Sequence, residues 1–550
     1  MRSFTHNPLP LFFLLAVGLL FGCSPEHYRK KADHEVYGII KSKSRRVPGM
    51  DKDFSIDRPS IDPLKDAKPA PEASIIPEEK EKETTADPLL INMEKALWIA
   101  SINSRDYQSR REDVYLSALD LTLQRNAFRP LFFGAVTGRF DHNADDEETV
   151  SGGSAFGFDW LLATGATLSA ELATDLSEFL TGNPRKAAGS LFSLTLAQPL
   201  LRGRTISATE PLTQAEQNVY YEIRDFVRYQ RTFFVSVYSE YYRVLQARQI
   251  LRNELLNYEN LVKARKRAEA MAEAGRLPEF QVDQTLQNEL SARDRFERAQ
   301  QRYHEALDSF KITLALPTET NISLDLRELE ELQEARPASL QYSRSHACNV
   351  ALDQRLDLQT TEEKVEDAHR KIKVAIDDLR PGLDVVVEAD TDTENNKPLK
   401  FSGNNNAYSV ALELDLALDR KAERNTFRRR LIEAKATRRD FEKLRNEVVH
   451  EVRNRWRDYL RAHRTYQIQR HSVELAQNRV DSTNMLLQAG RANTRDMLEA
   501  REALLSAQNS LVQAVVDYKV ARLELARDMD ILTVHKTGQM ETNFNEFAPE

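Results

Sequence analysis

Residue types that often carry catalysis are present in this chain, but they are scattered. His450, His463 and His471 fall on one predicted helix at spacings that do not bring them onto a single face, and Cys348 stands alone. Gly152-Gly153 is not followed by the Gly-Lys-Ser/Thr of a phosphate-binding loop, and no HExxH pair occurs. We therefore expect a protein that is not an enzyme and that has no cofactor and no metal site.

Two pairs of carboxylates have spacings that indicate an electrostatic role instead. Asp496 and Glu499 lie three positions apart, on one face of a predicted helix. Glu413 and Asp415 alternate with leucines, which places them on one face of a predicted strand. In an assembly of several copies, such pairs would form rings that attract cations. The alternative for Asp496 and Glu499 is a pair of solvated acids favoured near a helix start by the helix dipole.

Composition limits the class of protein that carries these residues. The net charge of −8 and the pI of about 5.9 disfavour a nucleic-acid binder, and two cysteines exclude a disulfide scaffold. The apolar run at 8–21 is too short to be a bilayer-spanning helix, which excludes a polytopic inner-membrane transporter. With 18 Gly and 20 Pro in 550 residues, the chain favours long helices.

The N-terminus has the parts of a secretion signal, namely a basic start, an apolar core and the small residue Gly22. It resembles a bacterial lipoprotein signal, whose pattern ends in Leu, two small residues and Cys. Leu20, Gly22 and Cys23 match this pattern, whereas Phe21 is large. The resemblance implies that residues 1–22 are removed and that Cys23 is lipidated, with several acyl chains for stable anchoring. The alternative is an ordinary signal peptide followed by a buried cysteine.

The segment after the signal, residues 23–88, predicts a lipid-anchored and largely disordered linker. Residues 24–40 could form one short helix, whereas residues 41–88 are rich in Pro, Lys, Asp, Glu and Ser and poor in large apolar residues. At the other end of the chain, residues 533–550 predict a flexible tail.

The body of the chain is a duplication. The Arg-Pro pair at Arg129 aligns with the pair at Arg380, an offset of 251, and the Ala-Gly-Arg around Gly275 aligns with the one around Gly490, an offset of 215. Two copies are too few for a solenoid. Each copy is therefore interpreted as half of one domain, the halves being residues 89–335 and 336–532.

The offsets differ by 251 − 215 = 36 residues, so the first half contains an insertion. The insertion must lie within about 141–189, where the apolar segments 156–162 and 167–172 flank a Thr-Gly turn. This pattern predicts a hairpin of two short strands, which leaves both ends of the half on the same side.

Each half predicts a helix that ends at Arg-Pro, then two strands and a long helical hairpin. The return strands at about 190–200 and 409–418 alternate strictly between apolar and small or acidic residues. The long helices at about 205–272 and 425–488 each end at Ala-Gly-Arg, with the glycine as C-cap. A returning helix of about 40 residues follows each turn, and the last one has an uninterrupted heptad seam.

Alternating strands of this length fit the wall of a transmembrane β-barrel. In that register Leu412, Leu414 and Leu416 would face lipid, with Leu414 near the bilayer midplane, and Glu413 and Asp415 would face the lumen. Four strands per chain cannot close such a barrel, and open edges do not occur in lipid. Several copies must therefore share one barrel, and three copies would give twelve strands.

This ordered set of features resembles the outer-membrane efflux family, the TolC-like channel-tunnels. The resemblance covers about 90–532 and is carried by the duplication, the return strand at 194–204, the turns at Gly275 and Gly490, and the stretch 496–502. It implies a fold that is mostly α with transmembrane β. In that fold, duplicated helix-strand-strand-helix halves form a homotrimer, with a twelve-stranded outer-membrane β-barrel continued by a long α-helical periplasmic tunnel.

The same resemblance implies a function and partners. The protein would be the outer-membrane channel-tunnel of a tripartite efflux or secretion system, which passively conducts substrates from an inner-membrane pump and a periplasmic adaptor to the outside. Its partners would be two further copies of itself, the adaptor, a pump of RND or ABC type and outer-membrane lipid, with no nucleic acid. It would be anchored in the outer membrane at Cys23, with most of its mass in the periplasm.

The resemblance also implies roles for the helical turns. The family's adaptor-facing turns correspond here to Gly275-Arg276 and Gly490-Arg491. The family often has an acid six positions after the turn glycine and another three further on, and both line the periplasmic aperture. Asp496 and Glu499 match these positions after the second turn, whereas Gln281 stands at the first of them after the first turn.

Two other classes share some of these features. A periplasmic adaptor is also a lipoprotein with helical hairpins, but it needs paired lipoyl half-motifs and β-rich domains that this sequence does not show. A structural coiled-coil envelope lipoprotein would not need the alternating strands at 190–200 and 407–418.

Overall fold

The computed structural model describes residues 24–51, 53–58, 88–142, 148–179, 186–334, 343–393, 397–416, 418–489, 491–534, 540–542 and 544. The chain divides into two compact units that alternate along the sequence. Unit 1 contains Met1–Ser55, Asp113–Ile223 and Glu363–Arg438, and unit 2 contains Ile56–Glu112, Arg224–Glu362 and Arg439–Glu550.

The elements are numbered in chain order. The helices are α1 (Pro25–Ser44), α2 (Met93–Asn103), α3 (Arg105–Asn126), α4 (Thr205–Glu273), α5 (Glu279–Thr313), α6 (Arg327–Glu334), α7 (Arg344–Gln354), α8 (Leu356–Asp378), α9 (Lys421–Gln488) and α10 (Thr494–Asp528). The strands are β1 (Leu89–Ile91), β2 (Leu131–His142), β3 (Glu148–Leu161), β4 (Thr167–Phe179), β5 (Lys186–Pro199), β6 (Ile322–Leu324), β7 (Gly382–Thr393), β8 (Phe401–Asp415), β9 (Leu532–Val534) and β10 (Met540–Thr542). None of the helices in the described residues is both long and apolar enough to cross a membrane.

The bounds of the elements confirm the duplication. Adding 251 to the bounds of α2 gives those of α7, and adding 251 to those of β2 gives those of β7. Adding 215 to the bounds of α5 gives those of α10. Strands β3 and β4 have no counterpart among the described strands of the second half, so they are the insertion.

Unit 1 contains an antiparallel sheet in which the described strands follow the order β2-β3-β4-β5-β7-β8. The inserted hairpin is therefore present as predicted, and it turns at Gly165, whose φ of +88° suits a residue without a Cβ. Its strands have 14 and 13 residues rather than being short. The expectation of four strands per chain is wrong for this sheet, because the hairpin lies between β2 and β5 and raises the number to six.

Helix α1 belongs to the folded part of unit 1. Its Val36, Ile39 and Ile40 are buried, and its Lys43 forms an ion pair with Glu216 of α4. Burial lowers the pKa of Lys43. Burial alone would raise the pKa of Glu216, but hydrogen bonds from Lys43 and Arg125 outweigh it and lower the pKa of that carboxyl.

The predicted linker is thus corrected in part. The short helix expected within residues 24–40 is present and extends to Ser44. Val47 and Met50, within the segment predicted as disordered, are also buried. Residues 59–87 lie outside the described part of the chain, as does most of the predicted tail at 533–550.

Unit 2 is built around helices with apolar faces. On α10 the predicted heptad seam is buried at Ala514, Tyr518, Ala521 and Leu525. Tyr107 of α3 packs against the rings of α4, which include Phe226, Phe233 and Phe234. The parallel pair β1–β6 is held by the buried Arg248, which donates to Ser323 Oγ at 3.0 Å and to Leu324 O at 2.9 Å.

Candidate channel wall and helical turns

The sheet of unit 1 has one apolar face, which follows from the pairing of its strands. Residues directly opposite each other in neighbouring strands point to the same side of a sheet. Between β7 and β8 the apolar residues are opposite one another, in the pairs Leu383–Leu414, Val385–Leu412 and Val387–Val410. The strict alternation seen in the sequence is therefore matched across the hairpin.

The apolar face continues across the rest of the sheet. Val387 is opposite Leu196, Leu196 is opposite Leu168, and Leu168 is opposite Trp160. On the outermost strand pair, Phe132 is opposite Phe158. At the two edge strands these side chains are exposed, Phe132 by 81% and Val410 by 77%. On the inserted hairpin Phe158, Trp160 and Leu168 are half-buried. An apolar surface of this extent is unusual on a water-soluble protein and indicates contact with lipid or with another protein.

The opposite face of the sheet carries mostly small, polar and acidic residues, with the apolar Leu131, Phe133, Leu161, Leu191 and Val386 among them. Ser169 Oγ donates to Asp159 Oδ1 at 2.6 Å and Ser409 Oγ donates to Glu388 Oε2 at 3.1 Å, each between neighbouring strands on this face. Arg139 is the basic exception among the described strand residues there. The acidic residues on this face are Asp141, Asp159, Glu171, Asp175, Asp384, Glu388, Asp390, Asp392, Glu413 and Asp415.

Glu413 and Asp415 lie on the acidic face, as their alternation in the sequence predicts, and Glu413 is opposite Asp384. The other acids of the face were not among the predicted lumen residues. Asp384 and Glu388 alternate with apolar residues along β7, so the sequence already indicates that they share a face. Glu171 and Asp175 could have been found in the same way, because they alternate with Leu168, Leu172 and Leu176 along β4.

The position of the leucines along β8 differs from the expectation. The strand ends at Asp415, so Leu416 lies just outside it and Leu414 is one residue from its end. Of the apolar residues of β8 that pair with β7, Val410 lies nearer the middle of the strand pair. A residue near the end of a wall strand is closer to the membrane interface than to the midplane.

The first helical turn has the geometry expected of a glycine C-cap. Gly275 has a φ of +69°. The Arg276 N–H donates to Met271 O at 2.8 Å and the Gly275 N–H donates to Ala272 O at 2.8 Å, the pair of bonds of a Schellman motif. A Cβ added to Gly275 would meet nothing within 4 Å. The glycine is thus required by the backbone conformation and not by close packing.

The second helical turn, between α9 and α10, has the same hydrogen bond from its arginine as the first. Gly490 lies outside the described residues. The Arg491 N–H donates to Leu486 O at 2.8 Å, and these two residues are the counterparts of Arg276 and Met271 at the offset of 215. Both arginines are exposed. The two turns therefore present a cationic side chain at equivalent positions, as the duplication predicts.

Asp496 and Glu499 are both exposed in the first turns of α10, and each has a partner. Asp496 completes a capping box, because the Asn493 side chain accepts from the Asp496 N–H and the Asp496 carboxylate accepts from the Asn493 N–H at 3.0 Å. Glu499 pairs with Arg479 Nη2 at 2.9 Å. The role of Asp496 as a cap is a structural one that the sequence analysis did not identify, although the Asn-x-x-Asp spacing is its usual signal.

The chain has two cysteines, Cys23 and Cys348. Cys23, the predicted lipidation site, lies outside the described residues. Cys348 is buried in α7, with 7% of its surface exposed. Within the described part of the chain, no group of His, Cys, Asp and Glu side chains could hold a metal ion.

The chain thus combines a two-faced antiparallel sheet with duplicated, long helical hairpins. Residues 347–528 match the family model described as outer membrane efflux protein. The match begins in α7 and ends with α10, so it spans most of the second half. The resemblance inferred from the sequence is therefore confirmed. No curated protein matches the sequence.

Solved structures of outer-membrane proteins share the fold over most of the chain. The CmeC outer membrane channel of Campylobacter jejuni has a TM-score of 0.58 and 13% identity, and the match covers 83% of this chain and 89% of that one. The outer membrane protein VceC of Vibrio cholerae has a TM-score of 0.55 and 12% identity, with 80% and 95% covered. The MtrE outer membrane channel of Neisseria gonorrhoeae has a TM-score of 0.55 and 13% identity, with 80% and 88% covered. At these identities the likeness concerns the fold alone, which is mostly α with a β-sheet, as predicted.

Proposed function

We propose that this protein is the outer-membrane channel-tunnel of an efflux system and that it conducts substrates passively, without a catalytic step. The observation that carries the proposal is the continuous apolar face of the sheet, which extends over strands β2 to β8 and is backed by an acidic face. The family match to residues 347–528 supports efflux as the purpose of the channel.

The two faces suit a wall between lipid and water. Side chains such as Phe132 and Val410 would be transferred from water to hydrocarbon, which is favourable by roughly 25 cal/mol per Å² of apolar surface. The acids of the other face require contact with water, because burying an unpaired carboxylate in hydrocarbon is costly. Lipid on the apolar side and an aqueous lumen on the acidic side satisfy both faces.

The sheet of one chain does not close on itself in the described residues, so the proposal includes several copies of the chain. The resemblance to the efflux family sets their number at three. The turns at Gly275-Arg276 and Gly490-Arg491 would meet a periplasmic adaptor, which links the channel to an inner-membrane pump. Lipid chains on Cys23 would hold the protein in the outer membrane before and after assembly. Asp496 and Glu499 are proposed to line the periplasmic aperture.

The proposal is tested by fractionating the membranes and by crosslinking. We expect the protein in the outer membrane as a trimer that survives mild detergent and dissociates on heating. A photo-crosslinker at Arg276 or Arg491 should capture an adaptor, whereas the same group at Arg29, which is exposed on α1, should not. Recovery of a monomer from the soluble periplasmic fraction would contradict the proposal, and equal capture at Arg29 would contradict the assignment of the turns.

A further inference from the structure

The inserted hairpin β3–β4 is paired with the rest of the sheet along its whole length. The ladder between β2 and β3 runs without a register shift from Leu131 to His142, and the ladder between β3 and β4 runs from Thr149 to Leu161. The ladder between β4 and β5 is equally continuous. A surface loop that folded away from the wall would not need strands as long as those on either side of it.

The side chains of the hairpin follow the two faces of the wall. Phe156, Phe158 and Trp160 of β3 lie on the apolar face with Leu168 and Leu172 of β4. Glu171 and Asp159 lie on the acidic face. A hairpin outside the membrane would have no reason to keep one face apolar in phase with β2 and β5, since the register of the strands fixes which residues would touch lipid.

The two edges of the sheet complement each other. The order of antiparallel strands makes β2 and β8 run in opposite directions, so β2 of one copy can pair in antiparallel fashion with β8 of the next. Phe132 and Val136 on β2 and Val410 and Leu412 on β8 lie on the same, apolar face. An edge with unpaired backbone groups is not tolerated in hydrocarbon, and a second copy of this chain offers an edge of matching direction and polarity.

We propose that β3 and β4 are wall strands, and that three copies of the chain close a barrel of eighteen strands through contacts between β2 and β8. The inference rests on the proposed function, from which the number of copies comes. With strands about 4.8 Å apart and tilted by about 40°, eighteen strands give a backbone diameter of about 36 Å, against about 24 Å for twelve. The cross-section at the level of the membrane is then roughly twice as large, in the range that leaves an aqueous channel.

A wide, acidic lumen has a consequence for the solutes that pass. The wall of the barrel would not be the part that excludes bulky solutes, and it would favour cations over anions along its length. In a barrel of twelve strands the same acids would face one another across about two thirds of that distance.

The direct test is electron cryo-microscopy of the full-length protein, purified from the outer membrane and reconstituted in lipid. A trimer with eighteen wall strands is expected. A trimer with twelve wall strands and β3–β4 outside the wall would overturn the inference while leaving the proposed function intact. A protein that is not an outer-membrane oligomer would overturn both.

Disulfide trapping provides a second readout of the same contact. We expect a cysteine at Thr137 of β2 to crosslink two copies when paired with a cysteine at Ala407, Ser409 or Ala411 of β8, tested one at a time. As a control, Ala155→Cys on β3 should give no crosslink between copies with any of these. Crosslinks between copies from Ala155→Cys but not from Thr137→Cys would place β3 at the edge and contradict the inference.

A deletion of residues 144–179 tests the role of the hairpin in the size of the pore. The deletion removes 36 residues, as many as the insertion contains, and it joins residue 143, which follows β2, to residue 180, which precedes β5. The variant should still form a trimer, and the largest poly(ethylene glycol) that enters from the outer side should become smaller. An unchanged size limit in a folded trimeric variant would show that the hairpin does not widen the barrel.

Discussion

Cys23 is the residue on which the proposed anchoring depends. Cys23→Ser should abolish the incorporation of labelled palmitate, since the thiol is the acceptor in the lipidation chemistry that the signal implies. Cys348→Ser is the matched control, because that thiol is buried in α7 and should not affect labelling. Equal labelling of the Cys23→Ser variant and the wild-type protein would show that the segment is an ordinary signal peptide.

Val410 and Ala411 are adjacent residues on opposite faces of β8, which makes them a matched pair. Arg at position 410 would lie in lipid near the middle of the wall and should destabilise the barrel by about 2–4 kcal/mol. Arg at position 411 would lie in the aqueous lumen and should mainly reduce cation selectivity. Leu414→Arg, near the end of the strand, should cost about 0–1 kcal/mol.

The yield of heat-modifiable trimer in the outer membrane measures these effects. Val410→Arg should reduce the yield strongly, whereas Ala411→Arg and Leu414→Arg should leave most of it. Equal yields for Val410→Arg and Ala411→Arg would mean that the two faces of the sheet are not exposed to lipid and water respectively.

At the scale of the element, the turn between α4 and α5 depends on one backbone conformation. Gly275→Ala would force a side chain into positive φ at a cost of about 1 kcal/mol, with no clash, because the space around the position is open. Assembly of the trimer should therefore be retained, while the displaced turn should bind the adaptor less well. Gly38→Ala in α1, which also meets no neighbour, is the control.

Co-purification of the adaptor with the channel is the measurement for the turn. A loss in Gly275→Ala but not in Gly38→Ala is expected. If the Gly275→Ala variant retains the adaptor fully, the turn is not part of that interface or tolerates an alanine there.

The start of α10 carries the two acids proposed to line the aperture. Asp496→Asn keeps an acceptor oxygen for the capping box, so that the double variant with Glu499→Gln should fold and assemble normally. It should conduct with lower cation selectivity, because two rings of carboxylates would be neutralised. Single-channel recording decides between this and solvated helix-start acids, for which the selectivity would be unchanged. Glu26→Gln in the first turn of α1 is the control.

Some of the helices and strands could be predicted from the sequence alone, and others could not. The duplicated elements were predictable, because the Arg-Pro and Ala-Gly-Arg signals recur at fixed offsets and their bounds agree with the structure. The length of β3 was not predictable, because the glycines and serines at 151–154 show no alternation of apolar and polar residues. These residues are extended because they pair with β2 and β4 on either side. The extent of α1 was missed because contacts distant in sequence, such as Lys43–Glu216, determine it.

At the scale of the whole molecule, the protein has an apolar surface, an acidic surface and a fold similar to that of the CmeC outer membrane channel. Each feature alone has another explanation, since an apolar face can also bind a partner protein and acidic residues are common on the surfaces of water-soluble proteins. A channel wall explains why both surfaces follow the same strands in alternation.

Ionic current through the purified full-length protein in a planar lipid bilayer tests this account most directly. We predict discrete steps of stable conductance from the trimer, with cations more permeant than anions because of the acids on the inner face. A folded oligomer that inserts into the bilayer but passes no current, under conditions where a known porin conducts, would have a closed tunnel mouth or no pore. The same result after disruption of the turns at Gly275 and Gly490 would contradict the claim that the protein is a channel.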